Sequence, residues 1–339
     1  MNIIPYSIDM KITAIACSNI ALVKYWGKRD ELLKLPQNNS ISITLNNLQT
    51  KTTVDFDNRY EEDIYIINGK KVEQQSEIKR LNTYINLLRQ QKGVKTPVKM
   101  QTESNFPTAA GLASSASGFA ALTVAGSKAL ELTLSDTELS ILARRGSGSA
   151  CRSIFGGFVE WKKGQKSDGS DSYAVQIASS HHWDIQLLVI ITELSKKSIS
   201  STKGMQSTVK TSPFYQGWLD SIEFDLEKVR TGILNKDFKL VGESSEHNCL
   251  KMHSLMMTSS PSMIYWNETT LKLLKNIQTW RAEGLNCYFT IDAGPNIIIL
   301  CLKSDVDAIK DHIQNINNIK NIIQCSPGPA PRLSEQHLF

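Results

Sequence analysis

The hydrophobic pattern in the first half of the chain alternates between the periods of strands and helices. Residues 12–16 and 40–45 are short runs with apolar or alternating character, which predicts two strands. Residues 63–67 predict a third strand, and the Asn68–Gly69 pair after them indicates a hairpin, because both residues readily adopt positive φ. The polar, glycine-containing stretch at 162–172 predicts a later hairpin loop.

Two helices are predicted between these strands. The first begins after Ser76 and ends before Gly93, a residue type that commonly terminates helices. Its apolar face consists of Ile78, Leu81, Ile85 and Leu88. The second helix opens on a capping box formed by Ser135 and Glu138 and ends at Gly146.

The pattern changes near Trp183, where a second lobe is predicted to begin. A buried strand at residues 185–192 precedes a long helical region at 213–282. The remaining predicted elements are two strands around the turn at 292–295, a helix at 305–316 and a strand at 322–325. One strand, helices, two strands, a helix and a strand are typical of an α+β lobe with an antiparallel sheet.

Length predicts one large domain, or two lobes with a cleft between them, in a globular protein that we expect in the cytoplasm. The chain has 339 residues, 41% of them hydrophobic and 21% charged, and a net charge of +5, which suits anionic metabolites. We place the domain division between residues 1–183 and 184–339. The chain has no tract dense in Lys and Arg that would predict a nucleic-acid partner. Its longest apolar run, residues 297–302, is too short to span a membrane. The six cysteines lack CxxC spacing, so we expect reduced thiols and no metal-ligating residues.

A loop of small residues at 107–117 is the first candidate for binding chemistry. Small side chains let a backbone approach a ligand, and the N-terminus of the following helix favours an anion. Ser114, Ser115 and Ser117 add hydroxyl groups. The loop is neither a Walker A motif nor a GxGxxG loop. Composition alone favours an ordinary turn with a capping serine.

A second segment rich in Gly and Ser spans residues 144–152. Ser147, Ser149 and Arg152 could hold an anion, because a guanidinium matches a carboxylate with two parallel hydrogen bonds. The alternative is a helix C-cap at Gly146, which explains the neighbouring basic residues but leaves Arg152 without a role.

Two further positions have both a chemical and a structural interpretation. Lys24 and Lys28 enclose two aromatic residues after the first predicted strand, as they would in an ordinary surface loop. Asp292 stands at the end of an apolar strand, where it could act as a general base or simply begin a turn.

Together these segments resemble the diphosphomevalonate decarboxylase family of the GHMP kinase superfamily. Five blocks match in the family's order and at about its spacing, namely residues 19–30, 105–115, 145–152, 200–206 and 292–296. Five blocks are far more specific than any one of them. The resemblance therefore outweighs the local structural interpretations.

The resemblance implies the fold, the reaction and the ligands. It implies an α+β GHMP kinase fold, with an N-terminal lobe like ribosomal protein S5 domain 2, a ferredoxin-like C-terminal lobe and a cleft between them. It also implies ATP with Mg²⁺ in the cleft, ATP-dependent decarboxylation of mevalonate diphosphate to isopentenyl diphosphate, and a homodimer. A related small-molecule kinase and a phosphomevalonate decarboxylase remain alternatives within the superfamily. A non-catalytic binding protein on the same fold is the alternative from another class.

The resemblance also implies roles for individual residues. Its catalytic set is Asp292 as the base, with Arg152, Ser149 and Lys24. Its further substrate-binding positions are Asn19, Tyr25, Trp26, Gly27, Lys28, Arg80, Ser147, Gly148, Ala150, Cys151 and Thr202. Its nucleotide-binding positions are Pro107, Ala110, Gly111, Leu112, Ser114, Ser115, Ser117 and Ser201. Ser201 and Thr202 are expected in a flexible loop that closes over the nucleotide.

Overall fold

The computed structural model describes residues 11–107, 113–195 and 199–339. The strands are β1 Ile12–Val23, β2 Lys28–Asp30, β3 Leu35–Pro36, β4 Ser40–Phe56, β5 Ile64–Ile67, β6 Lys70–Lys71, β7 Val98–Ser104, β8 Phe158–Trp161, β9 Ala174–Ala178, β10 Ile185–Ile191, β11 Cys287–Ile291, β12 Ile297–Leu302, β13 Asn321–Cys325 and β14 Arg332–Ser334. The helices are α1 Gln75–Lys92, α2 Ser114–Ala129, α3 Asp136–Gly146, α4 Ser201–Thr211, α5 Tyr215–Asn235, α6 Phe238–Met257, α7 Glu268–Ala282 and α8 Val306–Gln314. Short 3₁₀ helices span Gly148–Ile154 and Lys303–Asp305.

The first lobe is a mixed sheet covered on one face by helices. Its strand order is β14-β1-β4-β7-β5-β6, and β8 and β9 extend it from β4. Helices α1 to α3 bury apolar side chains such as Leu88, Phe119 and Leu142 against Val54 and Met100 of the sheet. Helices α1 and α3 turn only an apolar stripe toward the sheet, which is why they were readable from the sequence, whereas most of α2 is buried.

The second lobe has a four-stranded antiparallel sheet in the order β11-β12-β10-β13. One face of this sheet carries Leu188, Phe289 and Ile299, which pack with α7 and α8. The other face joins the largest hydrophobic cluster, which runs from Ile43 in the first lobe to Val189 in the second. The two lobes therefore share a core, and β1 meets the second lobe directly.

The structure confirms several sequence predictions and extends others. The predicted hairpin is formed by β5 and β6, with Asn68 and Gly69 both at positive φ. The capping box of Ser135 and Glu138 is present. Strand β4 runs 11 residues beyond the predicted end at residue 45, where polar residues such as Thr50 and Thr52 are buried and their hydroxyls form hydrogen bonds inside the fold. The helical region comprises α5 to α7.

Helix α4 and strand β14 are among the features that were not predicted from the sequence. Helix α4 occupies residues assigned to a flexible loop, and β14 returns to the first sheet, where it pairs with β1. The pairing of β14 depends on contacts more than 300 positions apart, which no local pattern records. The division between residues 183 and 184 stays a prediction. Among the described residues, no helix is long and apolar enough to cross a membrane.

Candidate active site

A cleft of about 790 Å³ opens where β1, α2, α4, α6 and the end of β11 meet. Side chains from both lobes line it. Those with functional groups are Asn19, Lys24, Tyr25, Lys28, Lys34, Arg80, Ser114, Ser115, Ser147, Ser149, Arg152, Ser200, Ser201, Thr202, Lys203 and Asp292. Most of the predicted site residues are thereby brought to one place.

Lys24 and Asp292 form an ion pair across the lobes. Lys24 directly follows the end of β1, and Asp292 directly follows the end of β11. Each residue therefore lies where a strand ends at the cleft. Lys24 Nζ lies 2.6 Å from Asp292 Oδ1. The lysine side chain is 1% exposed, whereas the aspartate is 30% exposed. The carboxylate is therefore held on one side and accessible to a ligand on the other.

Arg152 lines the same cleft and lies in a buried polar network. It is 3% exposed, and burial lowers the pKa of its guanidinium from the ordinary value. Arg152 Nε donates to Asn19 Oδ1 at 3.2 Å, and Nη1 donates to Ser40 Oγ at 2.5 Å. Asn19 Nδ2 in turn donates to Ser153 Oγ at 2.8 Å. These bonds fix the plane of the guanidinium at the cleft wall.

A group of cations occupies the end of the cleft near the β2–β3 hairpin. Lys28, Lys34 and Arg80 line this end, and Glu31 balances part of their charge through Lys28 at 2.6 Å. Burial, followed by repulsion from Arg80, Lys28 and Arg145, lowers the pKa of Lys34 to about 8. Such a concentration of positive charge suits a polyanion.

Tyr25 presents a buried hydroxyl to the same part of the cleft. Its ring packs edge-on against Trp161, with centroids 4.7 Å apart. Burial raises its pKa, so the phenol keeps its proton and can donate a hydrogen bond. The structure provides Tyr25 Oη with no hydrogen-bond partner among the described residues. A buried donor of this kind fits a ligand oxygen.

The N-terminus of α2 faces the cleft beside the serines of the neighbouring segment. Ser114 is the first residue of this helix, and Ser115 Oγ lies 3.1 Å from Ser147 Oγ. Ala113 precedes the helix in the left-handed region, at φ 51°. Positive helix dipole and hydroxyl groups together suit phosphate oxygens. The predicted positions Ala110, Gly111 and Leu112 lie outside the described residues.

The predicted loop at Ser201 and Thr202 is instead the first turn of α4, and that part of the prediction is wrong. The Ser200 side chain accepts a hydrogen bond from Lys203 N at 3.3 Å, which caps the helix. Met205 anchors the next turn in the core shared by the lobes. Ser201 and Thr202 still line the cleft, as the prediction required.

Several predicted contact positions do not line the cleft. Ser117 is 0% exposed, and its hydroxyl bonds Thr50 Oγ1 at 2.7 Å, so it joins α2 to the sheet. Gly27 has φ 108°, and a Cβ there would lie 1.9 Å from Tyr215 Oη, so this glycine is needed for packing. The other predicted positions that do not line the cleft are Pro107, Ala150 and Cys151.

Two further predicted residues line the cleft, and Lys34, which also lines it, was not among the predicted residues. Trp26 and Gly148 line the cleft as expected. Lys34 sits in the hairpin at φ 53°, an uncommon conformation for a non-glycine residue. Its position six residues after Lys28 was the available signal, but the hairpin that brings the two together consists of only five strand residues.

Models of known families match most of the chain. The Diphosphomevalonate decarboxylase-like N-terminal domain matches residues 16–174, and the Mevalonate 5-diphosphate decarboxylase C-terminal domain matches residues 187–334. The chain belongs to the diphosphomevalonate decarboxylase family. Both lobes of the described fold are therefore lobes of this family, and the cleft lies between segments matched by the two models.

Individual relatives agree with this family assignment. Diphosphomevalonate decarboxylase of Candida albicans is 38% identical over 352 aligned residues, covering 94% of this chain and 97% of the relative. A solved structure of the Enterococcus faecalis mevalonate diphosphate decarboxylase, concerned with ATP binding mediated by mevalonate diphosphate, is 42% identical with a TM-score of 0.88; the match covers 96% of this chain and 99% of that one. A complex named MDDEF with MVAPP, AMPPCP and magnesium is 43% identical, has a TM-score of 0.89 and shows the same coverage.

These matches confirm the predicted family, the α+β GHMP kinase fold and the assignment of the chain as an ATP-dependent decarboxylase. They also support binding of ATP and Mg²⁺ within the family. The roles of individual side chains stay predictions, for which the cleft geometry supplies the physical argument.

Proposed function

We propose that this protein converts (R)-5-diphosphomevalonate and ATP into isopentenyl diphosphate, ADP, phosphate and CO₂. The observation that carries the proposal is the Lys24–Asp292 pair, which lines the same cleft as the buried Arg152 and a group of cations. One carboxylate, one fixed guanidinium and a polyanion site match the three parts of this substrate, which are its hydroxyl, its carboxylate and its diphosphate.

The substrate's diphosphate binds at the cationic end of the cleft. Lys28, Lys34 and Arg80 neutralise its charge, and Tyr25 donates its buried hydroxyl to an oxygen. Arg152 binds the substrate's carboxylate, with its orientation fixed by Asn19. This arrangement holds the extended substrate at both termini and presents its 3-hydroxyl to Asp292.

The nucleotide's phosphates bind near the N-terminus of α2. Ser114 and Ser115 contribute hydroxyls there, while Ser201 and Thr202 approach from α4. ATP supplies the phosphoryl group that turns the substrate's hydroxyl into a good leaving group, and Mg²⁺ neutralises charge on the phosphates. The described residues contain no group of three acidic, histidine or cysteine side chains placed for a metal ion. Mg²⁺ characteristically binds through phosphates, waters and few protein groups, so the hydroxyls of Ser114 and Ser115 are its candidate protein contacts.

Asp292 accepts the proton of the 3-hydroxyl as that oxygen is phosphorylated. Lys24 fixes the carboxylate through the 2.6 Å contact, which leaves the second carboxylate oxygen for the substrate. When phosphate departs, positive character develops at C3 and the bond to the carboxylate breaks. Its electron pair forms the alkene, and CO₂ leaves. Arg152 keeps the carboxylate aligned during this step without adding a covalent bond.

The decisive experiment measures three products with purified protein, ATP, Mg²⁺ and mevalonate diphosphate. We expect ADP, CO₂ and isopentenyl diphosphate in equal amounts. ADP with a phosphorylated product but no CO₂ would make the protein a small-molecule kinase. Preference for mevalonate monophosphate would make it a phosphomevalonate decarboxylase, and absence of ADP release would leave only a binding protein.

The assembly, location and domain division are proposed on the strength of family membership. We infer a homodimer in the cytoplasm, with the lobes divided between residues 183 and 184. The matched family domains end at residue 174 and begin again at residue 187, which supports this division. Light scattering of the purified protein measures the mass: about twice the 37.8 kDa of the chain supports the dimer, and a monomer mass contradicts it.

A further inference from the structure

Helix α6 covers the free edge of β11 with side chains. Strand β11 is terminal in the second sheet, so alternate backbone groups point away from its neighbour. Phe289 N donates to Glu246 Oε2 at 3.2 Å, and Ile291 N donates to Cys249 Sγ at 3.1 Å. The Cys249 thiol donates back to Ile291 O at 3.4 Å. The backbone immediately before Asp292 is therefore bound to this helix.

His253 extends the same stripe of the helix. Positions 246, 249 and 253 follow one another at spacings of three and four, so they share a helix face. The His253 ring lies 4.7 Å from the ring of Trp266, and its Nε2 makes a long contact of 3.4 Å with Ile291 O. Burial lowers the pKa of His253 to about 3, which keeps the ring neutral beside Lys24.

Asn248 of the same helix binds the other half of the ion pair. Lys24 N donates to Asn248 Oδ1 at 2.8 Å, while Asn248 Nδ2 donates to Asp225 Oδ2 on α5 at 2.6 Å. Asn248 is 0% exposed, and Asp225 is itself paired with Lys251. From the first lobe, Asn38 Nδ2 donates to Lys24 O at 2.8 Å. Both peptide groups of Lys24 are therefore fixed by buried amides.

We propose that α6 positions the Lys24–Asp292 pair, with Asn248 and Cys249 as its two positioning residues. The pair joins the ends of strands from two different sheets, so its geometry depends on how the lobes sit against each other. One helix that binds the backbone at both strand ends removes that freedom. The kinetic consequence of this inference rests on the proposed function, but its geometric content does not.

Asn248→Ala removes the acceptor for Lys24 N at a position that does not line the cleft. We expect kcat to fall by about 10- to 100-fold, because misplacement of catalytic groups by about 1 Å can cost 100-fold. The KM values for both substrates should stay within about threefold of wild type. Ser245→Ala is the matched control, since it truncates another buried polar residue on α6 and should leave kcat unchanged.

Cys249→Ala tests the contact to β11 with a change small enough to preserve folding. We expect kcat to fall in the same direction by about 3- to 10-fold, with KM again unchanged. Cys301→Ala, which truncates a buried cysteine on β12, is the control and should have wild-type kcat. If Asn248→Ala does not fold, Cys249→Ala and the exchange variant described next decide the question.

Asn248→Asp combined with Asp225→Asn exchanges the two groups and keeps an acceptor for Lys24 N. This double variant should recover most of the kcat lost in Asn248→Ala. A general loss of helix packing would not explain such a recovery. Crystal structures of wild type and Asn248→Ala should show a longer distance from Lys24 Nζ to Asp292 Oδ1 in the variant. Wild-type kcat in both single variants with an unchanged distance overturns the inference. A wild-type protein that releases no CO₂ refutes the proposed function instead, and the distance alone then decides the role of α6.

Discussion

Asp292 is the residue whose exposure and environment differ most from those of an ordinary turn aspartate. Lys24 Nζ is 2.6 Å from one carboxylate oxygen, yet 30% of the side chain is exposed to the cleft. A turn-forming aspartate usually caps backbone N–H groups of its own loop. Here the carboxylate of Asp292 accepts a hydrogen bond from Lys24, which is 268 positions earlier in the chain. A partner this distant favours a chemical role.

Asp292→Asn separates the two interpretations of this residue. Asparagine fits the same turn but cannot accept a proton, so we expect turnover to fall by about 100- to 10,000-fold. Affinity for ATP and the melting temperature should change little. Turnover, ATP binding and thermal unfolding are to be measured on the same preparation. Turnover within a few-fold of wild type contradicts the role of base, whereas loss of folding supports a structural role.

Lys34 predicts a pH dependence of diphosphate binding. With a pKa of about 8, its ammonium is charged below pH 8 and loses its proton as the pH rises through that value. An anion binds the charged form better, so the dissociation constant of inorganic diphosphate should rise by about tenfold between pH 7 and pH 9. Calorimetric titration measures it across this range.

Lys34→Arg provides the comparison for this dependence, because arginine remains charged throughout the range. The variant should show a flatter pH dependence than wild type. Lys79→Arg changes an exposed lysine on α1 and should retain the wild-type slope. Equal slopes in wild type and Lys34→Arg would contradict the assignment of Lys34 as the titrating group.

At the scale of elements, α4 shows how a helix N-terminus can form part of a binding cleft. Its first turn supplies Ser201 and Thr202 to the cleft, while Met205 one turn later is buried in the shared core. The cap at Ser200 therefore stabilises the part of the helix that lines the cleft. Capping residues typically contribute about 1 kcal/mol.

Ser200→Ala should loosen this first turn and raise the KM for ATP by several-fold. A loss of about 1 kcal/mol corresponds to roughly a fivefold change in an equilibrium constant. Ser135→Ala removes the capping serine of α3 and is the matched control, because Ser135 does not line the cleft. It should lower stability similarly and leave KM unchanged. Steady-state kinetics and thermal unfolding of both variants check this; equal KM values argue against a role for the cap in binding.

For the whole molecule, the C-terminal segment ties the two lobes together. Strand β13 belongs to the second sheet, whereas β14 lies at the edge of the first sheet beside β1. Between them, Gly328 N donates to Thr44 O at 2.7 Å, and Gly157 N donates to Gly328 O at 2.9 Å. A Cβ on Gly328 would lie 2.6 Å from Asn46 N, so the segment approaches the backbone of β4 closely.

A chain that ends at Pro331 should fold with lower stability. It loses β14, whose three residues pair with Thr13, Ala14 and Ile15. Each backbone hydrogen bond contributes about 1 kcal/mol, so we expect a loss of about 2–4 kcal/mol and a lower melting temperature. Leu333→Ser is the control. It keeps the backbone pairing of β14 and changes only a side chain that is already half exposed. An unchanged melting temperature in the truncated chain would contradict a stabilising role for β14.

The sequence by itself determined the features that depend on local geometry. The Asn68–Gly69 hairpin, the capping box at Ser135 and the apolar face of α1 need only neighbouring residues, because turns and helices are governed by nearby φ, ψ and periodicity. The small-residue segments before α2 and after α3 were likewise readable. Together with the blocks at residues 19–30, 200–206 and 292–296, they carried the resemblance to the family.

Tertiary structure alone decided which of these residues meet and how they are charged. The lowered pKa of Lys34 requires burial and neighbouring cations from α1 and the end of α3, and the burial of Ser117 requires Thr50 on β4. The hydrogen bond from Lys24 N to Asn248 Oδ1 joins two residues that are 224 positions apart in the sequence. Burial and electrostatic fields are properties of space rather than of sequence distance, and they arise only when the two lobes close around a common core.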